Sequence, residues 1–389
     1  MADEKPTQIY QGYEQGPICP INDAYSLLLR LIRNCPWNRC AFCPVYKKQK
    51  FSIRPVEDII KDIDLICTYI DRLRLENATP IALDQERIHT IYTGFEVRDR
   101  DRVAFNNAVK WYAAGMTSIF LQDANPLVMK PKDLVFILGH IKDCFPQIET
   151  IATYARSSTI NQLPDGTLKQ LHTLGLNRIH VGIESGSNLV LNRMRKGVDR
   201  FGHIEACKRI QQAGIELYIY VMPGLGGVDL SIEHALETAE ALNAINPDVI
   251  KIRTLGLSPS TELAHWQMRG MFEKPGDAMI ATEVRLMLEA LGNIESRIKS
   301  DHILNLFETV NGKMPHDKDK MIGIIDRFFE LDPQKRILYQ IGRRMGFFKG
   351  LGDMDTSPQM DQVRLACENY GVTPKNVDQI LDRLMTRFV

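Results

Sequence analysis

The sequence predicts an α/β protein, a parallel sheet with helical crossovers, followed by a helical C-terminal region. Two patterns predict it. Six short apolar segments recur between residues 25 and 257, and most are followed by a stretch with apolar residues at helical spacing. From about residue 259 onward the helical spacing continues without a clear strand. Strand–helix alternation implies parallel strands joined by right-handed connections. Six such units can form an open doubly wound sheet or close part of a barrel, and periodicity does not choose between them.

Residues 1–24 read as a polar N-terminal extension without the apolar core of a signal peptide. "YSLLLRLIR" (25–33) is a buried strand, and "VEDIIKDIDLICTYIDRLRL" (56–75) is a helix with Ile59, Ile60, Ile63, Ile66 and Ile70 at helical spacing. Residues 77–116 interrupt the rhythm and hold an extra helix near "RVAFNNAVKWYAAG" (102–115). The alternation resumes with a strand at 117–125, a helix at 131–145, a strand at 148–157 and a helix at 165–176. It continues with a strand at 178–187, a helix at 200–214, a strand at 215–227, a helix at 231–245 and a strand at 248–257. Gly214 marks a helix stop. Farther on, "ATEVRLMLEALGNI", "HILNLFETVNG", "KDKMIGIIDRFFEL" and "PKNVDQILDRLMTRF" all read as helices.

Composition narrows the function. Hydrophobic residues make up 44% and charged residues 25%, as in ordinary globular chains. Lys+Arg and Asp+Glu are equal at 48 each. With no net charge there is no field to attract nucleic acid or an anionic membrane, so neither is expected as a partner. No apolar run reaches membrane-spanning length, and a cytoplasmic location is expected. Eight cysteines in such a setting point to metal binding or plain thiols rather than disulfides.

The chemistry concentrates in "NCPWNRCAFC" (34–43). Cys35, Cys40 and Cys43 stand within nine residues, just past the first strand, and strand C-termini are where parallel α/β folds build their sites. Three thiolates on one short loop repel one another unless a cation neutralises them, which leaves zinc and an iron–sulfur cluster as candidates. A closed zinc site needs a fourth ligand, and Cys19 is the nearby spare.

This loop, with the six-strand pattern behind it, resembles the radical S-adenosylmethionine (SAM) superfamily. That family's usual signature is Cys-x3-Cys-x2-Cys with an aromatic before the last cysteine. Phe42 fills that place, and one extra residue separates Cys35 from Cys40. Over residues 20–260 the chain is most similar to the branch with anaerobic coproporphyrinogen dehydrogenase-like and Elongator-catalytic-subunit-like domains. The resemblance implies a partial (β/α)6 TIM-like barrel over 25–258, with 77–116 as an insertion and 259–389 as a helical C-terminal domain or lid. It implies a 4Fe–4S cluster on Cys35, Cys40 and Cys43 whose open iron takes SAM. Reduction would release methionine and a 5′-deoxyadenosyl radical that abstracts a substrate hydrogen. It also implies an electron donor such as flavodoxin or ferredoxin, anaerobic operation, and a small-molecule or modified-macromolecule substrate. The short N-terminal extension speaks against a preceding cobalamin-binding domain. Cys367, alone in the C-terminal region, speaks against a second cluster-binding domain, and no acetyltransferase-like segment follows the barrel.

The resemblance gives the other strand ends their roles. In "LQDANPL" (121–127), Asp123 and Asn125 would meet the SAM ammonium; the plain alternative is an Asx-turn. "TGFE" (93–96) is a second, lower-ranked candidate for that motif. Arg156 in "TYARSS" would fork onto the SAM carboxylate while Tyr154 or Ser157 touches the ribose; the plain alternative is a surface ion pair. Glu184 or Ser185 in "GIESGS" would accept from the ribose hydroxyls, or Ser185 and Ser187 simply cap a helix. Arg195 and Lys196 are anion partners or part of a solvated face. Met222 and Pro223 in the Gly-rich "VMPGLGG" would support adenine, as would the backbone around Leu255 in "RTLGL", and Arg253 would reach substrate. No Lys-Ser/Thr follows the Gly-rich loop, so it is not a nucleotide-triphosphate loop. Asp301, His302 and Asn305 in "SDHILNLF" combine three functional groups within about one helical turn, as a catalytic lid would, unless Ser300 or Asp301 caps and His302 packs. Two other classes fit the same features: a non-catalytic haem or cluster carrier on this barrel, and a zinc-stabilised interaction module.

Overall fold

A computed structural model describes residues 10–18, 25–75, 91–94 and 97–386. Cys19, residues 77–90 of the interrupting segment and the last two residues of "TGFE" lie outside the described residues. The chain divides into two compact units. One comprises Met1–Pro36, Lys48–Ile179 and Gln212–Ile215, the other Trp37–Lys47, His180–Gln211 and Glu216–Val389. Both are mixed α/β.

The first unit contains strands β1 (Leu27–Arg30), β2 (Ile32–Arg33), β3 (Ser52–Ile53), β4 (Ser118–Gln122) and β5 (Thr150–Ala155), and the first four residues of β6 (Leu176–Glu184). Strands β1, β4 and β5 pair in parallel, with Leu27 opposite Ile119 and Phe120 opposite Ala152. The crossovers include α1 (Val56–Leu75), α2 (Arg102–Ala113) and α3 (Pro131–Cys144), joined by the shorter α4 (Ser157–Gln162) and α5 (Thr167–Thr173). Helix α1 opens with Glu57 and Asp58, which suit the positive end of its dipole, and buries the predicted Ile59, Ile63, Ile66 and Ile70, while Ile60 is only half-buried. Helix α3 starts on Pro131, whose missing N–H costs nothing there, and buries Leu134, Ile137, Leu138 and Ile141. Edge-to-face ring pairs, Tyr69 on Phe105 and Trp111 on Phe145, close the helical layer.

The apolar run 25–33 is not one strand. It breaks after Arg30, and Ile32–Arg33 turns away to pair antiparallel with Ser52–Ile53. Arg54 enforces the break. It is buried, and it donates from Nη1 to the Arg30 carbonyl at 2.6 Å and from its backbone N–H to the Leu31 carbonyl.

The second unit holds the remainder of β6, then β7 (Glu216–Val221), β8 (Val249–Ile252), β9 (Arg297–Lys299) and β10 (Gly312–Lys313). Strands β7, β8 and β9 are parallel; β10 is antiparallel to β9. The helices are α6 (Asn188–Arg193), α7 (Arg200–Gln212, its last residue in the first unit), α8 (Ser231–Ile245), α9 (Glu262–Met268), α10 (Asp277–Ala290), α11 (Lys318–Glu330), α12 (Pro333–Arg344), α13 (Met360–Asn369) and α14 (Val377–Met385). The region after 259 is mainly helical, as expected, but it adds the strands β9 and β10.

"HILNLFETVNG" is not a helix. Residues 301–311 form turns between β9 and β10. Two buried arginines of α12 explain why. Arg343 donates to the carbonyls of His302 and Asn305, and Arg344 to that of Leu304. Carbonyls that a helix would satisfy internally are thus satisfied by guanidinium groups reaching in from elsewhere. Leu304, Leu306 and Phe307 are buried by the turn, without a helix.

Candidate functional site

In the first unit the C-terminal ends of β1, β4 and β5 meet. Asp123 follows β4 at φ +72°, a left-handed backbone that turns the chain sharply. Its carboxylate is fully buried and accepts from Arg30 Nε at 2.7 Å and from the Asn34 N–H at 3.4 Å. Asp123 therefore fixes the residue immediately before Cys35. Asn125 is equally buried. Its Nδ2 donates to Thr159 Oγ1 at 2.7 Å and its Oδ1 accepts from the Arg156 N–H at 3.2 Å, so it ties the β4 loop to the start of α4. Arg156 is the half-buried residue before α4, and Tyr154 lies edge-on to Phe120. Glu14, absent from the sequence reading, gathers Arg30, Arg33 and Arg54 around one carboxylate. Burial opposes the charge on Glu14, but the three guanidinium groups outweigh it and hold the carboxyl below its ordinary range.

The second unit carries the rest of the cysteine loop. The Ala41 N–H donates to the Met194 carbonyl and the Ala41 carbonyl accepts from the Leu263 N–H, each at 3.0 Å. The residue between Cys40 and Phe42 is thereby pinned on both sides. Cys40 and Phe42 are buried with Val190, Met194, Leu225, Leu255, Leu263 and Phe272 in one apolar cluster, and Cys43, Trp37 and Met222 pack against it. Trp37 Nε1 donates to the Arg195 carbonyl at 2.8 Å.

Glu184 ends β6 at φ +65°. The bend folds its carboxylate back over Gly182, where any Cβ would collide with Oε1. Lys196 Nζ sits 3.2 Å from the same oxygen and 5.9 Å from the centre of the Phe42 ring. A carboxylate, an ammonium and an aromatic beside Cys40 thus share one place. Ser185 is buried. Its hydroxyl bonds His234 Nδ1 at 2.8 Å and accepts from the Ser187 N–H, while Ser187 caps α6. His234 Nε2 faces the Met222 carbonyl at 3.0 Å and Glu283 at 3.4 Å. Glu283 accepts from the Gly224 N–H and Ser231. Burial pushes its pKa up, and His234, Ser231 and Gly224 pull it down less strongly. This chain of buried polar groups fixes the Met222–Pro223–Gly224 turn. His234 and Glu283 were missed because each sits in an amphipathic helix pattern; the available signal was a charged residue on the apolar face.

Leu255 is buried in the cysteine cluster, and its N–H bonds the Pro223 carbonyl at 2.9 Å. The Asn305 amide is engaged with its neighbours in the fold. Its Oδ1 accepts from the Thr254 N–H, and its Nδ2 donates to the Ile252 carbonyl and Ser300 Oγ. Asp301 lies 3.8 Å from the buried Lys251. His302 Nδ1 accepts from the Leu304 N–H, and burial, with Arg253 the next cause, pushes its pKa down to about 3. Asp301, His302 and Asn305 are brought together by a turn, not by a helix.

The description of the radical SAM superfamily matches residues 29–242, more than half of the chain. The chain belongs to the radical SAM superfamily. Proteins of this superfamily use a 4Fe–4S cluster and SAM. The chain is 28% identical over 127 residues to the tRNA uridine(34) acetyltransferase of Methanocaldococcus infernus and 27% identical over 127 residues to that of Methanocaldococcus jannaschii. Each match covers 32% of this chain and 22% of the relative, so the chain spans under a quarter of their length. Among solved structures, coproporphyrinogen III oxidase from Escherichia coli is 13% identical, with a TM-score of 0.42 over 68% of this chain and 50% of that one. Among the described residues no helix is long and apolar enough to cross a membrane.

The radical SAM donor set fits the residues present. Three thiols lie within nine residues, and the segment carrying two of them is fixed by backbone hydrogen bonds in an apolar surround, as a low-charge, water-poor cluster site requires.

Proposed function

We propose that the chain is a radical SAM enzyme whose cluster is held by Cys35, Cys40 and Cys43, and that it abstracts hydrogen from a small-molecule or macromolecular substrate. The observation that carries this reading is the pinned Ala41 peptide, which presents Cys40 and Cys43 beside Phe42 inside the family-matched region. Cys35, Cys40 and Cys43 would hold the cluster, which when reduced would supply the electron for radical cleavage of SAM.

The chain's own residues bind and shield. Asp123 and Arg30 fix the entry to the cysteine loop, and Asn125 with the Arg156 backbone shapes the wall for the amino-acid end of SAM. Glu184, held by Lys196, accepts from the ribose diol. Met222, Pro223 and Leu255 offer apolar surface and backbone to adenine, and the apolar cluster keeps water from the thiolates. Ser185 acts through His234 as a positioning residue. Asn305 holds the end of β8, while Asp301 and His302 stand beyond it toward substrate. A flavodoxin- or ferredoxin-type donor supplies the electron in the cytoplasm.

The test is anaerobic reconstitution followed by strong reduction. Four irons per chain and release of 5′-deoxyadenosine are expected. Cys40→Ala abolishes both, whereas Cys19→Ala leaves iron content unchanged. Stoichiometric zinc at these cysteines, or tight haem binding without SAM cleavage, overturns the reading.

A further inference from the structure

Helices α1 and α3 of the first unit set four metal-binding side chains against one another, away from the cysteine loop in sequence. Asp64 and Cys67 are one turn apart on α1, and His140 and Cys144 one turn apart on α3, so each pair shares a helix face. His140 Nε2 lies 2.6 Å from Asp64 Oδ1 and 3.6 Å from Cys144 Sγ. The three ligand atoms all fall within 4.8 Å of one another. Cys67 is adjacent: its Sγ lies 3.9 Å from the Cys144 carbonyl, and the two thiols interact. Its sulfur would join the group through a change of rotamer about its Cα–Cβ bond.

We propose that Asp64, Cys67, His140 and Cys144 bind a zinc ion that clips α1 to α3. Two sulfurs, one imidazole and one carboxylate are a donor set zinc accepts in a tetrahedral site. The spacing agrees. With Zn–S of about 2.3 Å and Zn–N of about 2.0 Å, tetrahedral geometry puts sulfur and nitrogen about 3.5 Å apart, and His140 and Cys144 are 3.6 Å apart. One nitrogen faces both Asp64 and Cys144, yet it carries at most one hydrogen and cannot serve both fully. A cation between the three groups satisfies all of them. Asp64 is exposed, so its carboxylate is free to withdraw by the roughly 0.7 Å that entry of the ion requires. Other first-row metals compete for such a set, and the two sulfurs favour zinc over the oxygen-seeking ions.

The site does not depend on the proposed reaction, and its test separates the two. The full chain, with its cluster reconstituted anaerobically, is equilibrated with zinc and then assayed for zinc and iron. One zinc per chain in addition to the cluster iron is expected. The double variant Cys67→Ser/Cys144→Ser should lose the zinc and keep the iron. Cobalt(II) titration should give the visible bands of a tetrahedral thiolate site in the parent chain and none in the double variant. If the double variant does not fold, His140→Gln and Asp64→Asn serve instead, each expected to weaken zinc at least tenfold. Equal zinc in parent and variants, or zinc lost only when Cys35, Cys40 and Cys43 are replaced, overturns the assignment.

Discussion

Glu184 carries two opposing demands. Its left-handed backbone costs free energy for a residue with a Cβ, on the order of 1 kcal/mol, and that strain is tolerated because it aims the carboxylate at Lys196. Replacing Glu184 with Gln keeps the shape and removes the charge. SAM affinity is expected to fall about tenfold with iron content unchanged, since a charge-assisted hydrogen bond gives way to a neutral one of roughly half its strength. Equilibrium binding of SAM to the reconstituted protein measures it, and unchanged affinity would remove Glu184 from the SAM site. His302 makes a pH prediction. It stays neutral in the folded chain down to about pH 3, whereas its ordinary value is 6.5. Between those values the unfolded chain binds more protons, so stability is full above pH 6.5 and declines as pH falls toward 3. His302→Gln should flatten that decline. Urea midpoints at pH 7 and pH 4.5 show it, and identical slopes for both proteins would count against a buried neutral imidazole.

At the scale of elements, Asn305 in the turn between β9 and β10 and Gly197 beside the cysteine loop each carry a prediction. Asn305 joins the turn to the end of β8 through two hydrogen bonds, with the Thr254 N–H and the Ile252 carbonyl, and braces the turn itself through a third to Ser300. Asn305→Leu leaves the Thr254 N–H and the Ile252 carbonyl without those partners and should cost about 2–4 kcal/mol, read from denaturant unfolding at pH 7. A loss below about 0.5 kcal/mol would show that water replaces the amide. Gly197 has φ +74°, and any Cβ there would run into the Trp37 ring. Gly197→Ala therefore displaces Trp37 and the loop behind it. Iron per chain should drop by more than half while far-ultraviolet circular dichroism stays near that of the parent. Full iron loading would separate the loop's position from the Trp37 contact.

At the scale of the whole molecule, the two units each have their own strands, crossover helices and apolar core. A ligand that binds only the folded chain should stabilise it. SAM at about one hundred times its Kd adds roughly 2.7 kcal/mol to a protein that binds it only when folded. The thermal midpoint of the reconstituted parent should therefore rise with SAM, and Cys40→Ala should lose the rise. An equal rise in both would place SAM binding elsewhere.

The sequence by itself determined the α/β alternation, the faces of α1 and α3, the strands at 118–122, 150–155 and 249–252, and the three-cysteine loop with Phe42. These follow from local period and spacing, which each short segment carries alone. Only the tertiary structure decided that Arg54 splits the first apolar run, that Arg343 and Arg344 hold 302–305 as a turn, and that Ser185, His234 and Glu283 form one buried chain. It alone brought Asp64 and Cys67 to His140 and Cys144. Each of these depends on a polar group meeting a partner remote in sequence. A buried donor or acceptor must be satisfied, but nothing in its own segment says by whom.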